Sequence, residues 1–291
     1  MRVAIYGRYV KEKNVPFLKQ IIDKLHQSHI EVLMHDAFYE RIHDCLPDAS
    51  YNTFRGYTDI KDDADYLFSL GGDGTLLDTV SLVRDSEIPV LGINMGRLGF
   101  LASTGKEHID EVIENLKYRT YMLDKRTLIH VDASSDLFGE VNYGLNEFTI
   151  HKKDTSSMIT INAYINGELL NSYWADGLIV ATPTGSTGYS LSCGGPIIFP
   201  TSQNFVITPV APHNLNVRPI VVSSDTILSF EVEGRSDYFL STIDSRYATI
   251  DSSVQLAVRE ESFHFNLMRM NESSFLNTIR SKLMWGIDHR N

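Results

Sequence analysis

Leu67-Phe68-Ser69-Leu70-Gly71-Gly72-Asp73-Gly74-Thr75-Leu76-Leu77 decides the reading of this chain. A short apolar run of strand type ends in three glycines set around one carboxylate, and a helix-compatible segment, Leu76 to Val83, follows at once. The pattern predicts a strand, a tight turn and a helix start. Glycine has no Cβ, so its backbone takes up φ > 0 readily and comes close to a ligand that a side chain would hold off. Amide groups at the start of the next helix favour negative charge in the turn, and a phosphate suits them. Asp73 is the acidic group at the tip, placed to orient or deprotonate a hydroxyl or to hold a magnesium ion beside phosphates. Gly71 to Gly74 also fits a plain surface turn in which the aspartate accepts a local backbone hydrogen bond. Neither common phosphate loop is present: the G-x-x-x-x-G-K-[ST] lysine is missing, and so is the G-x-G-x-x-G spacing.

Composition narrows the classes. At 291 residues, 43% hydrophobic and 22% charged, the chain is globular in composition and long enough for one large domain or two ordinary ones. No apolar run reaches the roughly 18 residues of a membrane helix. Met1 to Tyr6 reads as a first strand instead of a signal peptide, so a cytoplasmic protein without a membrane partner is expected. Cys45 and Cys193 lie far apart and read as reduced thiols. A formal net charge of -11 argues against a nucleic-acid partner. It leaves room for a small nucleotide, because loop amides, a few local cations and Mg²⁺ dominate at short range while salt screens charge beyond about 10 Å.

Along the chain, Arg2 to Gly7 reads as a buried strand, and Leu18, Ile21, Ile22 and Leu25 give an amphipathic helix. Glu31 to Met34 suggests a second strand, and Tyr39 to Asp65 reads as polar and irregular. Ile88 to Asn94 is another buried strand and runs into a second glycine-rich exit, Met95 to Leu101. Ile109, Val112, Ile113 and Leu116 again have helical spacing. Strands alternating with helices imply a parallel sheet with ligands at the carboxyl ends of its strands, where both glycine turns lie.

After about residue 120 the period changes. Ile159, Ile161, Ala163 and Ile165 alternate with polar neighbours, and Asn166-Gly167 is a strong hairpin turn into Glu168 to Trp174. Further alternation at Leu228 to Val232, Val254 to Val258 and Phe263 to Leu267 makes this half mostly antiparallel. Ser273 to Trp285 has helical spacing and is expected to pack back on the first domain or on a partner subunit. The expected fold is thus an α/β N-terminal domain with a parallel sheet over 1–120, a mostly antiparallel all-β domain over 121–270, and a returning C-terminal helix over 271–291.

Three stretches of the β half exceed what a structural sheet needs. Asn146-Glu147 sets an amide beside a carboxylate near a strand, where neighbouring residues face opposite sides unless the strand is bent. Asp176-Gly177 precedes an apolar strand, which a simple turn also explains. That strand leads into Thr182 to Pro196, whose hydroxyls, glycines and tyrosine make a ligand loop. The ten histidines show no H-x-x-x-H and the cysteines no C-x-x-C, so no metal ligands are assigned. Gly185 to Gly188 lacks the G-x-S-x-G frame of a serine hydrolase. His213 reads as a loop histidine.

Gly71-Gly72-Asp73-Gly74-Thr75, the Gly92 to Asn94 and Gly96 to Leu101 segments, Asn146-Glu147, Asp176-Gly177 leading into Thr182 to Ser192, and Ala211-Pro212-His213 together resemble the NAD kinase family in identity and order, over roughly residues 65 to 250. The resemblance implies transfer of a phosphoryl group from ATP, in some members also from polyphosphate, to the 2′-hydroxyl of the adenosine ribose of NAD. The product is NADP, and Mg²⁺ or a similar divalent ion is the cofactor. It also implies a homo-oligomer, usually a tetramer, so a dimer or tetramer is expected. By the same resemblance Asp73 is the proton acceptor and Gly74 a backbone contact to NAD, while Gly71, Gly72, Gly74 and Thr75 form the phosphate loop. Asn146 and Glu147 match the nucleoside-binding pair and Asp176 a further NAD contact. Thr187, Gly188, Tyr189, Ser190, Leu191 and Ser192 line the adenosine, and Ala211 and Arg246 fall on site positions. Trp174 stands where many members carry a basic residue, and Arg246 where others have a polar amide. Two other readings stay open: a diacylglycerol-type lipid kinase, similar around Gly71 to Thr75, and a non-catalytic sensor of NAD or NADP.

Overall fold

The computed structural model describes residues 1–46, 51–96, 98–153, 157–270 and 274–284. Arg97, within the second glycine-rich exit, and Ser273 and Trp285, at the ends of the expected last helix, lie outside the described residues. The chain divides into two units, Met1–Lys125 with Phe265–Asn291, and Arg126–His264.

In the first unit the apolar runs become parallel strands, as their two-sided burial requires. In order the elements are β1 (Arg2–Gly7), α1 (Val15–Gln27), β2 (Glu31–His35), α2 (Asp36–Ile42), β3 (Asn52–Phe54), α3 (Tyr57–Ile60), β4 (Tyr66–Gly71), α4 (Asp73–Asp78), α5 (Val80–Val83), β5 (Val90–Asn94), β6 (Thr104–Gly105) and α6 (Ile109–Tyr118). The sheet runs β5-β4-β1-β2-β3, all parallel, with Val3 beside Tyr66 and Leu67 beside Val90. One face buries Val3, Ile5, Phe68, Leu70, Leu91 and Ile93 against the apolar stripes of α1 and α6, Leu18, Ile21, Ile22 and Leu25 with Ile109, Val112, Ile113 and Leu116.

Two expectations are corrected here. The stretch from Tyr39 to Asp65 is not irregular throughout. It holds the end of α2, whose Phe38 and Ile42 are buried one turn apart, the edge strand β3, and α3. Its polarity reflects an edge position, where one strand side meets solvent. The helix expected from Leu76 to Val83 is two short helices, α4 and α5, meeting at Thr79, whose hydroxyl turns back to the Leu76 carbonyl at 2.6 Å.

The second unit is a sandwich of antiparallel sheets. Its strands include β7 (Met122–Ala133), which begins in the first unit, β8 (Tyr143–Gly144), β9 (Glu147–Lys152), β10 (Ile159–Ile165), β11 (Glu168–Ala175), β12 (Gly177–Ala181), β13 (Asn204–Val210), β14 (Ile220–Ser223), β15 (Leu228–Glu233), β16 (Tyr238–Ile243), β17 (Arg246–Asp251) and β18 (Leu256–Arg269), with α7 (Tyr189–Ser192) between β12 and β13. One sheet contains β11-β10-β15-β18 and the other runs β14-β13-β12-β9-β16-β17. Alternate residues of both point inward, Ile161, Phe230 and Val258 from the first and Phe148, Val180, Phe205 and Phe239 from the second. The Phe148 and Phe230 rings meet at 6.1 Å between centroids. Asn166-Gly167 closes the β10–β11 hairpin with φ of +50° and +85°, the left-handed pair that a two-residue turn of this kind demands.

The last strand, β18, crosses the division of the chain: Leu256 to Val258 pair antiparallel with β15 in the second unit, and Leu267 pairs parallel with Val90 in the first. The terminal helix α8 (Phe275–Leu283) belongs to the first unit, where Ile279 is buried and Phe275 lies 6.5 Å from the Phe100 ring.

Candidate active site

In the first unit β4 delivers Gly71 and Gly72 to the sheet edge, and α4 starts at Asp73. The glycines are not there for a left-handed backbone: Gly72 has φ of −107°, and neither Gly71 nor Gly74 has positive φ. At Gly71 the reason is room, because a Cβ would lie 2.7 Å from Thr75 Cβ and overlap its hydroxyl. Gly72 has no heavy atom near the place of a side chain, and Gly74 only Arg8 Nη1 at 3.8 Å. Both therefore present bare, exposed backbone to open space, which is what close approach of a ligand needs.

Asp73 does not point loosely into that space. Its Oδ2 accepts the amide of Phe100 at 2.8 Å, and its Oδ1 accepts those of Leu101 at 3.0 Å and Ala102 at 2.9 Å. Gly99 makes this nest possible, since a Cβ there would overlap the Asp73 carboxylate. The second glycine-rich exit, read from the sequence as another ligand turn, serves as the receptor of the Asp73 side chain. Each carboxylate oxygen has two lone pairs, so among the described residues Oδ1 is filled and Oδ2 keeps one acceptor position.

Arg8, at the exit of β1, braces the same turn. Its Nε and Nη2 donate to Asp78 at 2.6 and 2.7 Å, and Nη2 also reaches the Gly74 carbonyl at 3.1 Å. Tyr6 donates to Asp78 as well, and burial followed by that carboxylate holds its phenol up to about 12. Reading the sequence missed Arg8, because Gly7-Arg8-Tyr9 shows no motif and its partners stand 66 and 70 residues away.

In the second unit the structure brings Asn146 and Glu147 against the turn that follows β12. A Cβ on Gly185 would overlap the Asn146 carbonyl, and one on Gly188 would sit 3.4 Å from Glu147 Oε2 and 3.8 Å from Asn146 Nδ2. Thr182 ties the two segments through its amide to the Asn146 carbonyl at 2.8 Å and its hydroxyl to the Leu145 carbonyl at 2.6 Å. Beneath them lies Asp244, which the sequence did not single out. Its carboxylate accepts the amides of Leu145 at 2.8 Å, Asn146 at 2.8 Å and Glu147 at 3.1 Å. Asp244 is at φ +51°, a backbone that aspartate tolerates better than most residues. Burial pushes its carboxyl up while the three amides and Arg246 pull it down.

That nest fixes two acceptors that no described residue satisfies. Asn146 Oδ1 and Glu147 Oε2 are buried and receive no hydrogen bond from the protein. Burial, with the nearby Asp244 charge second, pushes the Glu147 carboxyl up to about 8. An unmet acceptor costs about 1–3 kcal/mol, so the pair suits a ligand that brings hydroxyl or amino donors. Arg246 donates to the carbonyls of Val141 and Tyr143, so its guanidinium braces the approach to Asn146, and burial holds its pKa below the usual value.

Most hydroxyls of the Thr182 to Ser192 loop turn out to be structural. Ser186 receives the Ile198 amide at 3.0 Å and donates to the Pro183 carbonyl, while Ser190 pairs with Thr208 at 2.8 Å and is fully buried. Thr187 donates to the Thr184 carbonyl at 3.2 Å and is half-buried with Gly188 and Leu191, whereas Tyr189 and Ser192 are exposed. Tyr189 stacks on His151 at 5.6 Å, and burial lowers the pKa of that histidine. Asp176 pairs with Lys152 at 2.6 Å, and its amide donates to the Val210 carbonyl, next to Ala211, which has φ of +45°. Trp174 and His213 lie 4.2 Å apart by ring centroids.

Residues 3–121 match the family model described as ATP-NAD kinase N-terminal domain, and residues 145–270 the one described as ATP-NAD kinase C-terminal domain. The chain is 46% identical over 293 residues to the NAD kinase of Cytophaga hutchinsonii, 42% over 294 to that of Flavobacterium psychrophilum, each match covering 100% of both chains, and 38% over 286 to that of Porphyromonas gingivalis, covering 98% of both. Two crystal structures share the fold. Yeast NADH kinase complexed with NADH has a TM-score of 0.88 at 24% identity, covering 100% of this chain and 89% of that one. An NAD kinase from Archaeoglobus fulgidus in complex with ATP has a TM-score of 0.74 at 23% identity, covering 98% and 100%. With both family models and full-length relatives in agreement, the chain belongs to the NAD kinase family.

Proposed function

We propose that the enzyme transfers the γ-phosphate of ATP to the 2′-hydroxyl of the adenosine ribose of NAD, giving NADP, and that Asp73 holds this hydroxyl and takes its proton. The observation that carries the reading is the nested Asp73 carboxylate, fixed by three amides beside a turn of bare backbone. Oδ2, with its remaining lone pair, is the oxygen we assign to the ribose hydroxyl. In phosphoryl transfer the barrier falls mainly through alignment and charge neutralisation, because the transition state is loose and little proton is lost early. A carboxylate that needs no reorganisation at that moment aims the nucleophile first and receives the proton late.

The nucleoside side of NAD falls to the second unit. Asn146 Oδ1 and Glu147 Oε2 are acceptors suited to its donors, and Asp176, Ala211 and the Thr187 to Ser192 segment are the further contacts in this reading, with Arg246 acting through the carbonyls it braces. Among the described residues no three His, Cys, Asp or Glu side chains gather to hold a metal ion. A Mg²⁺ arriving with the nucleotide would be held chiefly by the phosphates and water. Such an ion would neutralise charge on the phosphate oxygens.

We take the enzyme to be a cytoplasmic homo-oligomer, dimer or tetramer. The edge strands β14 and β17 expose Ile220, Val221 and Tyr247, which supports association, and no helix among the described residues is long and apolar enough to cross a membrane. An endpoint assay of NADP formed from NAD, ATP and Mg²⁺ tests the activity: a sensor binds NAD and yields no NADP, and a lipid kinase consumes ATP only with vesicles. Light scattering on the eluting protein gives the assembly, and a monomer at all concentrations refutes that part.

A further inference from the structure

Asp73 opens a helix of only six residues, Asp73–Asp78. A helix that short does not hold its own direction in water, and the groups packed against it decide where Asp73 stands. β4, which delivers the helix, runs between β5 and β1 in the sheet. From the β5 side, the segment after that strand brings the amides of Phe100, Leu101 and Ala102 to the Asp73 carboxylate. The β1 side brings Arg8.

The two grips take different atoms. The nest takes the carboxylate, and Arg8 takes the backbone that carries it. Gly74 and Asp78 stand four residues apart, hence on one face of α4, and the guanidinium spans both. Its Nη2 donates to the Gly74 carbonyl at 3.1 Å and to Asp78 Oδ1 at 2.7 Å, while Nε donates to Asp78 Oδ2 at 2.6 Å. Successive residues turn by about 100° around a helix, so Asp73 leaves α4 on the neighbouring face. Asp78 is held in its turn by Tyr6, two residues before Arg8, which donates to the same Oδ2 at 2.9 Å. Arg41, in the last turn of α2, donates to the Arg8 carbonyl. A continuous set of bonds therefore runs from β1 and α2 to the peptide that follows Asp73.

We infer that Arg8 is a positioning residue for the reaction: through the Gly74 carbonyl and Asp78 it fixes the start of α4, and with it the point at which Asp73 meets the ribose hydroxyl. The inference rests on the reading of Asp73 as the group that holds that hydroxyl, and it adds what sets the reach of the carboxylate. A misplacement of about 1 Å at a reacting group costs on the order of 10²-fold in rate, so a clamp of this kind acts on turnover and leaves the binding of either substrate almost untouched. Charge alone does not supply it. A lysine ammonium is a point charge on a flexible stem and cannot bridge a carboxylate and a carbonyl in one plane as the guanidinium fork does.

Arg8→Lys is made in the full chain and again in the Asp73→Asn background, and kcat, KM for ATP, KM for NAD and thermal unfolding are measured for each. In the otherwise unaltered enzyme kcat is expected to fall about tenfold while both KM values stay within about threefold. In the Asp73→Asn background the same substitution is expected to lower kcat by less than about twofold, because no carboxylate is left to place. A tenfold loss in both backgrounds overturns the inference, since Arg8 would then act on something other than Asp73. So does full turnover in Arg8→Lys, and so does a KM for ATP raised about tenfold at unchanged kcat, which would make Arg8 a contact to the donor. Should Arg8→Lys not fold, Tyr6→Phe removes one bond from Asp78 and keeps the guanidinium: a two- to threefold fall in kcat that vanishes in the Asp73→Asn background supports the clamp, and an unchanged kcat refutes it. Near-normal turnover of Asp73→Asn alone refutes the reading of Asp73 itself, a result obtained without touching Arg8.

Discussion

Asp73 in the first unit and Asp244 in the second are built by one device. Each carboxylate gathers the amides of three consecutive residues, two on Oδ1 and one on Oδ2: Phe100 to Ala102 for Asp73, Leu145 to Glu147 for Asp244. What differs is what the nest serves. Asp73 stands beside Gly72 and Gly74, whose backbone faces open space, so the nested carboxylate is itself turned to a ligand. Asp244 is desolvated and beside Arg246, and the groups left for a ligand are Asn146 Oδ1 and Glu147 Oε2, carried by the residues whose amides it holds. The same three hydrogen bonds thus fix a reacting group in one place and a recognition segment in the other.

Removing the charge from each separates the two roles. Asp73→Asn is expected to lower kcat by about 10² or more while NAD binding stays within about tenfold, the loss appropriate to a general base. Near-normal turnover in that variant would refute the assignment. Asp244→Asn is expected to show the reverse pattern: KM for NAD up about tenfold, kcat within a few-fold, and a loss of about 1–2 kcal/mol of stability as three charge-assisted hydrogen bonds weaken. Thermal unfolding of both variants, set beside their kinetic constants, checks the crossing. If Asp244→Asn depresses kcat as deeply as Asp73→Asn with KM unmoved, the division of roles is wrong. A smaller effect tests the Asp73 nest from its far side. Gly99→Ala puts a methyl group into the carboxylate, and kcat is expected to fall about tenfold with the stability cost confined to about 1–3 kcal/mol of overpacking. A variant with full activity would show that the amides of Phe100 to Ala102 do not set the working position of Asp73.

How far these features were legible in the sequence follows from the range of the interactions that make them. The strand, turn and helix around Asp73, the stripes of α1 and α6 and the Asn166-Gly167 hairpin are written in residues a few positions apart, and period and turn chemistry reach that far. The nests are not. Asp73 meets its amides 27 to 29 residues downstream and Asp244 meets its own 97 to 99 residues upstream, and an aspartate in a glycine turn or at a hairpin tip looks ordinary from its neighbours. The hydroxyls after β12 mislead for the same reason. Ser186 and Ser190 read as ligand hydroxyls in a glycine-rich loop, yet Ser186 accepts the amide of Ile198 while donating to the Pro183 carbonyl, and Ser190 pairs with Thr208, 18 residues on. Gly99 was legible as a glycine that matters, but its neighbours point to a turn, whereas the atom it makes room for is Asp73 Oδ1.

The smallest effect bears on the second unit alone. Glu147 has a carboxyl raised to about 8 by burial and by the Asp244 charge, against about 4.3 for an unfolded chain. Between those values the folded protein binds a proton that the unfolded chain has released, so stability falls as pH rises from about 4.3 towards 8 and the full penalty is present above it. Glu147→Gln keeps the shape and one acceptor oxygen but cannot ionise. It is therefore expected to match the unaltered protein in stability near pH 5 and to exceed it by about 1–2 kcal/mol at pH 8.5, a value below the about 1.4 kcal/mol per pKa unit because the residue keeps some solvent access. Denaturant unfolding at the two pH values measures the difference. A gap that is the same at both would mean that Glu147 is not desolvated above the Asp244 nest, and the distinction between the nest that presents its carboxylate and the nest that presents its neighbours would lose its second half.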